Sequence, residues 1–197
     1  RMDGGSKRLR VISRSGIGYD GVDLAAATER GLVVCNAPEA PTVSTAEHAV
    51  TLLLAASKRI TVSQTRLRQA QGDYFAASDG MELEGRTLGL VAYGRIARRV
   101  GAVAAALGMK VIAFDPYLEN ADVELVEFES LLARSDVISV HAPLTEETHH
   151  LFGPEAFAAV KPGVVFVNTA RGGLVDQRAL LAALDDGRVL AAGLDVT

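Results

Sequence analysis

The sequence has 197 residues, of which 49% are hydrophobic and 22% are charged, and its formal net charge is −4. This composition can bury a large core, which argues against a disordered protein, and the Lys and Arg residues are too dispersed to form a basic surface for nucleic acid or anionic lipid. The longest apolar run, residues 49–56, is much shorter than the roughly 20 residues that a membrane span requires. We therefore expect neither a nucleic-acid nor a membrane partner.

The cysteine content indicates the cellular compartment, and the chain ends indicate whether the sequence is complete. Cys35 is the only cysteine, so it cannot form a disulfide within the chain, and no group of Cys and His has the spacing of a metal site. Because no signal peptide is visible either, we expect a cytoplasmic protein without a metal ion. The first residue is Arg1 rather than Met, and the last predicted strand has nothing after it. We expect that the sequence is cut at both ends.

The first part of the chain predicts a small βαβ unit. Strands are expected at residues 9–13 and 32–35, and a helix at residues 23–30 is closed by Gly31. A tight loop follows the first strand. One such unit is too small to fold alone, so we interpret residues 1–40 as part of a second domain.

A long helix is predicted next, capped by Ser44 or Thr45 and ending near Gln71. Its N-terminal half, residues 46–60, is apolar around most of its circumference, whereas its C-terminal half is polar. We expect the apolar half to be buried against another domain or a partner subunit, and we therefore predict a homodimer built around it. Residues 41–80 are assigned to this helix and to the turn-rich stretch that follows it.

Strands and helices alternate in the last part of the chain. Strands are predicted at residues 87–92, 110–114, 137–140, 164–168 and 189–195. Helices are predicted at residues 96–107, 129–133, 154–159 and 177–185. The strands are near-continuous apolar runs, which indicates burial on both faces. The predicted fold class is therefore α/β, with a doubly wound parallel sheet over residues 81–197.

The turn after the first of these strands has the position of a dinucleotide fingerprint. In G-x-G-x-x-G the glycines allow a tight turn, a close approach of pyrophosphate and close helix–strand packing. Here the three positions hold Ala92, Gly94 and Ala97. By itself this pattern indicates no more than a tight strand-to-helix turn, and we expect Ala92 to shift the loop slightly.

The setting of that turn favours a cofactor site. It lies between a predicted strand and a predicted helix, and Asp115 follows about 20 residues later, as in sites where a carboxylate binds the adenosine ribose. A carboxylate there repels a 2′-phosphate, which predicts NAD rather than NADP. Backbone N–H groups of Arg95 and Ile96 begin the helix and favour an anion. The alternatives are that Asp115 belongs to an ordinary turn and that Arg95 is a solvated surface residue.

Several further blocks lie in a fixed order along the chain. They are residues 16–23, 45–48, 94–96, 115–117, 141–144, 168–173 and 193–196. In sequence and in order these blocks resemble the D-2-hydroxyacid dehydrogenase family, which includes phosphoglycerate, glycerate, formate and phosphite dehydrogenases. The resemblance implies a Rossmann-type NAD-binding domain with a remnant of a second, flavodoxin-like substrate domain.

The resemblance also implies roles for individual residues. Arg171 would grip the substrate carboxylate and orient its 2-carbonyl, which suits the planar donor fork of a guanidinium, although a structural Arg at a helix start is the alternative. Backbone N–H groups of Ser15, Gly16 and Ile17 would bind the substrate. Besides Arg171 and the residues of the glycine loop, the expected cofactor contacts are His141, Ala142, Pro143, Thr169, Ala170 and Asp195. Asp195 would lie near the carboxamide of the nicotinamide.

The family pattern continues with a His that exchanges the hydroxyl proton and a Glu that raises the pKa of this His and holds it in place. The sequence ends at Thr197 before either. The four histidines that are present do not replace that His in the prediction. We expect an NAD-dependent oxidoreductase acting on a D-2-hydroxy or 2-keto acid such as phosphoglycerate or glycerate, of which this chain is an incomplete and inactive part. The alternatives are an NAD-binding regulatory or scaffold protein on the same fold, and a phosphite or formate dehydrogenase.

Overall fold

The computed structural model describes residues 9–69 and 80–197. The chain separates into two compact units, Arg1–Ser44 and Thr45–Thr197, and each is described by itself. The turn-rich stretch that was predicted after the long helix lies largely outside the described residues, as does the predicted end of that helix near Gln71.

The smaller unit contains one βαβ motif. Its elements are β1 (Val11–Ser13), α1 (Leu24–Glu29) and β2 (Val33–Cys35). The two strands are parallel, and the side chain of Asp23 caps α1 by accepting a hydrogen bond from the Ala26 N–H at 2.8 Å. Gly31 follows the helix with a φ of 63°, the left-handed conformation that glycine adopts without strain. The predicted βαβ unit is therefore present, with slightly shorter strands.

The single long helix of the prediction is two helices, α2 (Thr42–Ser57) and α3 (Ile60–Arg68). They are separated at Arg59, whose φ of 51° lies in the left-handed region and cannot continue a right-handed helix. The predicted cap was also wrong, because α2 begins before Ser44 and Thr45. A non-glycine residue in this conformation gives no sequence signal, so the break could not be expected from the residue types.

One face of α2 is buried within the larger unit. Ala46, Ala49 and Leu53 are at most 4% exposed and recur at helical spacing. They belong to the same apolar cluster as Leu88 and Leu90 of the neighbouring sheet. The chain itself therefore covers this part of the apolar helix face.

A parallel sheet of six strands forms the centre of the larger unit. Its strands are β3 (Thr87–Val91), β4 (Lys110–Phe114), β5 (Glu124–Leu125), β6 (Val137–Val140), β7 (Val164–Asn168) and β8 (Val189–Leu194). Their spatial order is β5-β4-β3-β6-β7-β8, so the winding direction reverses between β3 and β6. That is the order of doubly wound dinucleotide-binding folds, which bind ligands where the direction reverses. The predicted fold class is confirmed, and the two-residue β5 is the strand that the prediction lacked.

Helices cover both faces of this sheet. They are α4 (Arg95–Ala106), α5 (Phe128–Arg134), α6 (Pro154–Ala159) and α7 (Gln177–Asp185). Neighbouring residues of β7 show the two-sided burial, since Val165 packs in one apolar cluster and Phe166 in the other, and both are 0% exposed. The near-continuous apolar strands of the sequence follow from this arrangement, because the central strands β3, β6 and β7 are buried on both faces.

Candidate functional site

Five of the strands in the larger unit end at one edge of the sheet, because all of them are parallel. The first residue after each of these strands is either the first position of the glycine loop or a predicted cofactor contact. In chain order these are Ala92 after β3, Asp115 after β4, His141 after β6, Thr169 after β7 and Asp195 after β8. The structure thus brings four of the predicted cofactor residues, and the first position of the glycine loop, to the edge where open α/β sheets bind ligands.

The glycine loop between β3 and α4 has the backbone that the fingerprint requires. Ala92 adopts a φ of 66°, the left-handed conformation that a glycine would adopt there without strain. The departure from glycine therefore appears as strain at Ala92 itself. Ala97, at the third position, is 0% exposed, in keeping with close packing of α4 on the sheet.

Gly94 leaves open space in front of the start of α4. It is the residue before the helix, and a Cβ added to it would meet nothing within 4 Å in the described chain. Packing inside the protein therefore does not require glycine here, whereas a ligand approaching the backbone does. Arg95 and Ile96 are the first residues of α4, and the N–H groups at the start of a helix favour an anion.

The carboxylate of Asp115 holds the glycine loop. Its Oδ2 accepts a hydrogen bond from the Tyr93 N–H at 2.9 Å, and its Oδ1 accepts one from the Tyr117 N–H at 3.0 Å. Each carboxylate oxygen has a second lone pair, so Asp115 can hold the loop and still accept hydrogen bonds from two ribose hydroxyls. The sequence predicts the contact with the ribose, and it gave no indication that Asp115 also holds the loop.

Tyr93 anchors the same loop through its buried side chain. Its side chain is buried, the guanidinium of Arg98 lies 4.5 Å from the ring centre, and Arg98 in turn pairs with Asp122 at 2.8 Å. Burial raises the pKa of Tyr93 to about 12, and its hydrogen bond to the Asp122 carboxylate acts in the same direction. Tyr93 occupies a variable position of the fingerprint, so the motif gave no reason to expect this role.

The turn after β7 presents Arg171, and the side chain of Asn168 holds it. Asn168 is 1% exposed, its Nδ2 donates to the Arg171 carbonyl at 2.9 Å, and its Oδ1 accepts from the Ala170 N–H at 2.9 Å. Arg171 also donates from Nη1 to the Ala170 carbonyl at 2.7 Å. The sequence reasoning named Thr169, Ala170 and Arg171 but not Asn168, although a polar residue that ends an apolar strand was a signal for it.

Thr169 carries an unsatisfied polar group at this edge. Its Oγ1 is buried and has no hydrogen-bond partner among the described residues. A buried hydroxyl without a partner costs about 1–3 kcal/mol, so such a group in a native site calls for an additional partner. The hydroxyl of Thr169, the open backbone at Gly94 and the carboxylate of Asp115 together fit the nicotinamide, pyrophosphate and ribose parts of NAD.

His141 begins the loop after β6, beside the end of β3, and its N–H donates to the Val91 carbonyl at 2.9 Å. Its Nε2 lies 3.0 Å from the Ser139 Oγ, and burial lowers the pKa of His141 to about 4. The imidazole is therefore neutral at physiological pH. Ala142 is buried next to it, and the carbonyl of Pro143 accepts a hydrogen bond from Thr148 Oγ1 at 2.7 Å, which fixes the loop.

Asp195 has a partner on α2. Its Oδ1 lies 3.3 Å from Nε2 of His48, which belongs to the block of residues 45–48 but was not among the predicted site residues. The Asp195 N–H also donates to the Asn168 carbonyl at 3.0 Å, which joins the ends of β7 and β8.

The three predicted substrate residues lie together in one loop of the smaller unit. The Ile17 carbonyl accepts a hydrogen bond from Asn36 Nδ2 at 2.8 Å, and the Gly16 carbonyl accepts one from the Ala37 N–H at 3.2 Å. These bonds involve the carbonyl groups of the loop, and the N–H groups of Ser15, Gly16 and Ile17 are the predicted donors to the substrate. Asn36 was not among the predicted residues.

Two further kinds of site were sought in the same parts of the chain. Over residues 9–69 and 80–197, no three His, Cys, Asp or Glu side chains come together as a metal site. The same residues contain no helix of the length and apolarity that crossing a membrane requires.

Comparisons with known proteins show which family this chain resembles. A sequence profile described as "D-isomer specific 2-hydroxyacid dehydrogenase, NAD binding domain" matches residues 50–197. The D-3-phosphoglycerate dehydrogenase of Mycobacterium leprae is 50% identical over 194 residues, which are 96% of this chain and 37% of that protein. The hydroxypyruvate reductase of Thermotoga maritima is 44% identical over 192 residues, with 96% and 62% covered.

A solved structure shows the same similarity in three dimensions. The D-lactate dehydrogenase from Aquifex aeolicus, complexed with NAD and lactic acid, superposes with a TM-score of 0.89 at 35% identity, over 96% of this chain and 58% of that one. The chain spans 37% of the length of the phosphoglycerate dehydrogenases that it matches.

Proposed function

Since this chain belongs to the D-isomer-specific 2-hydroxyacid dehydrogenase family and carries its NAD-binding domain, we propose that the protein transfers a hydride between NAD and a D-2-hydroxy or 2-keto acid. The observation that carries the proposal is the placement of Arg171. It lies in a turn that Asn168 fixes, directly after Thr169 and Ala170 at the ligand-binding edge of the sheet. A guanidinium at this place can bind a carboxylate through two parallel hydrogen bonds.

In this proposal the cofactor lies along the carboxyl edge of the sheet. The N–H groups of Arg95 and Ile96 bind the pyrophosphate, which approaches the chain at Gly94. Asp115 binds the adenosine ribose, and its negative charge disfavours the additional phosphate of NADP. The remaining contacts are assigned to His141, Ala142, Pro143, Thr169, Ala170, Arg171 and Asp195. Thr169 and Asp195 serve the nicotinamide end.

The residues of this chain orient the reactants in the proposed reaction. When bound, NAD accepts or supplies the hydride at its nicotinamide ring. Arg171 binds the substrate carboxylate and polarises the neighbouring carbonyl oxygen, and the backbone N–H groups of Ser15, Gly16 and Ile17 are proposed as additional donors. His141 does not serve as the imidazolium that protonates the substrate oxygen, because burial lowers its pKa to about 4 and keeps it neutral.

The test is a substrate profile of the full-length protein. NADH formation is measured with D-3-phosphoglycerate, D-glycerate, D-lactate, formate and phosphite, each in the presence of NAD or NADP. We expect turnover of a D-2-hydroxy acid with NAD, and a loss of at least about a hundredfold in kcat/KM for Arg171→Lys, since a lysine cannot form the paired hydrogen bonds. NAD binding without turnover of any acid would favour a regulatory or scaffold protein. Turnover of formate or phosphite alone would place the protein in that branch of the family.

We further propose a homodimer in the cytoplasm. The dimer is proposed around the apolar half of the predicted helix, residues 46–60, and Ile60 at the end of this half is 52% exposed and available to a second copy. The exposed thiol of Cys35 suits a reducing compartment. Light scattering of the full-length protein tests the dimer, and Ile60→Glu is expected to shift the mass towards the monomer. A monomeric mass for the unmodified protein would contradict it.

A further inference from the structure

The contact between His48 and Asp195 joins two parts of the larger unit that are distant in sequence. Nε2 of His48, on α2, lies 3.3 Å from Oδ1 of Asp195, the first residue after β8. The two side chains are 45% and 52% exposed, so the pair lies at the surface of the unit rather than in its core. Its effect on stability is therefore small, and its geometry needs another explanation.

The backbones of both residues are fixed by packing that does not depend on the pair. Gly193 is in such close contact with α2 that an added Cβ would lie 2.9 Å from the Cβ of Leu52. Leu52 is one helical turn after His48, so both side chains lie on the side of α2 that faces the end of β8. The Asp195 N–H is held by the Asn168 carbonyl at 3.0 Å. Only the rotation of the Asp195 side chain is left for His48 to determine.

We propose that His48 is a positioning residue for the nicotinamide carboxamide and acts through Asp195. This inference rests on the proposed function, in which Asp195 binds that carboxamide. Nε2 of His48 holds Oδ1 at 3.3 Å, which leaves the other oxygen, Oδ2, to accept from the N–H donors of the carboxamide. Without His48 the Asp195 carboxylate rotates freely, and the cofactor must then fix that rotation itself when it binds.

A pair of dinucleotides separates this role from a general effect on the fold. The carboxamide of NADH has N–H donors, whereas the acetyl group of reduced 3-acetylpyridine adenine dinucleotide has none and so cannot donate to Asp195. The dissociation constants of both are measured by fluorescence titration of the full-length protein. The variants are His48→Leu, which removes the donor, and His48→Gln, which retains an N–H donor. Thermal unfolding of each variant checks that it is folded.

We expect His48→Leu to weaken NADH binding about threefold to fivefold, the range of a half-exposed contact to a carboxylate, and to leave the acetyl analogue unaffected. His48→Gln should restore NADH binding to within about twofold of the unmodified protein. In an Asp195→Ala background, His48→Leu should have no additional effect, because the residue it acts through is gone.

Three results would overturn the inference. They are equal weakening of both dinucleotides by His48→Leu, unchanged binding of NADH by His48→Leu, and an undiminished effect of His48→Leu in the Asp195→Ala background. Failure of the proposed function gives a different result. The unmodified protein would then bind NADH without turning over any of the acids, or would not bind NADH at all, and neither result depends on His48.

Discussion

Replacing Ala92 by glycine is expected to stabilise the protein. Ala92 has a φ of 66°, and this conformation costs a residue with a side chain about 1–2 kcal/mol. Glycine recovers that strain but loses more backbone entropy on folding, which offsets about 0.5–1 kcal/mol. The free energy of unfolding should therefore rise by up to about 1.5 kcal/mol, which corresponds to up to about 6 °C in Tm for a unit of this size.

The matched control is Gly94→Ala in the same loop. Gly94 has a φ of −83°, which alanine also adopts, and an added Cβ meets nothing within 4 Å in the described chain. Stability should therefore change by less than about 0.5 kcal/mol. The new methyl group lies where the pyrophosphate is proposed to approach, so NADH binding should weaken about tenfold or more, as expected for a steric overlap.

Calorimetry and NADH titration of both variants test this reasoning. Ala92→Gly should change stability with little effect on NADH binding, and Gly94→Ala should do the reverse. A lower Tm for Ala92→Gly would refute the strain argument, because it would mean that the alanine methyl group stabilises the loop more than its backbone conformation costs. Unchanged NADH binding by Gly94→Ala would refute the assignment of this loop to the pyrophosphate.

Three further changes test other parts of the larger unit. Burial alone would raise the pKa of Asp136, but hydrogen bonds from Lys161 at 2.7 Å and from the Thr87 N–H at 2.9 Å hold it below its usual range. Asp136→Asn should therefore lower the free energy of unfolding by about 2–3 kcal/mol at neutral pH. In denaturant melts this difference from the unmodified protein should disappear as the pH falls below about 4, because Asp136 is then protonated. In an ultraviolet titration, one of the four tyrosines should ionise near pH 12, and Tyr93→Phe should remove that step. Because the pKa of an unfolded tyrosine is about 10, the free energy of unfolding should fall as the pH rises from about 10 to about 12. Asn168→Asp keeps the acceptor for the Ala170 N–H and loses the donor to the Arg171 carbonyl, so kcat/KM should fall about tenfold to a hundredfold while NADH still binds, and an unchanged kcat/KM would contradict the positioning role.

The sheet could be predicted from the sequence because burial on both faces demands uninterrupted apolar runs. The bounds of β4, β6 and β7 agree with the prediction for this reason. β5 has two residues, Glu124 and Leu125, and lies at the edge of the sheet, where no such demand acts. The break between α2 and α3 was missed because the left-handed conformation of Arg59 depends on its surroundings rather than on its residue type.

The candidate site was predictable only in part, for a related reason. A side chain that faces a ligand lies directly after a buried strand, so its position follows from the pattern of the strands. The side chains that hold these residues have no such rule. Asn168 acts on the backbone of its own turn, and Tyr93 is buried at a variable position of the dinucleotide fingerprint. His48 contacts Asp195 from α2, which is distant in sequence.

These two kinds of residue should respond differently to substitution. A residue that faces the ligand is expected to affect binding or turnover with little change in stability, as argued for Gly94. A residue that holds another one affects the ligand only through its partner, so its effect disappears when the partner is removed. The Asp195→Ala background in the His48 experiment applies this criterion directly. The same cycle with Asn168 and Arg171 would show whether the turn after β7 is organised in the same way.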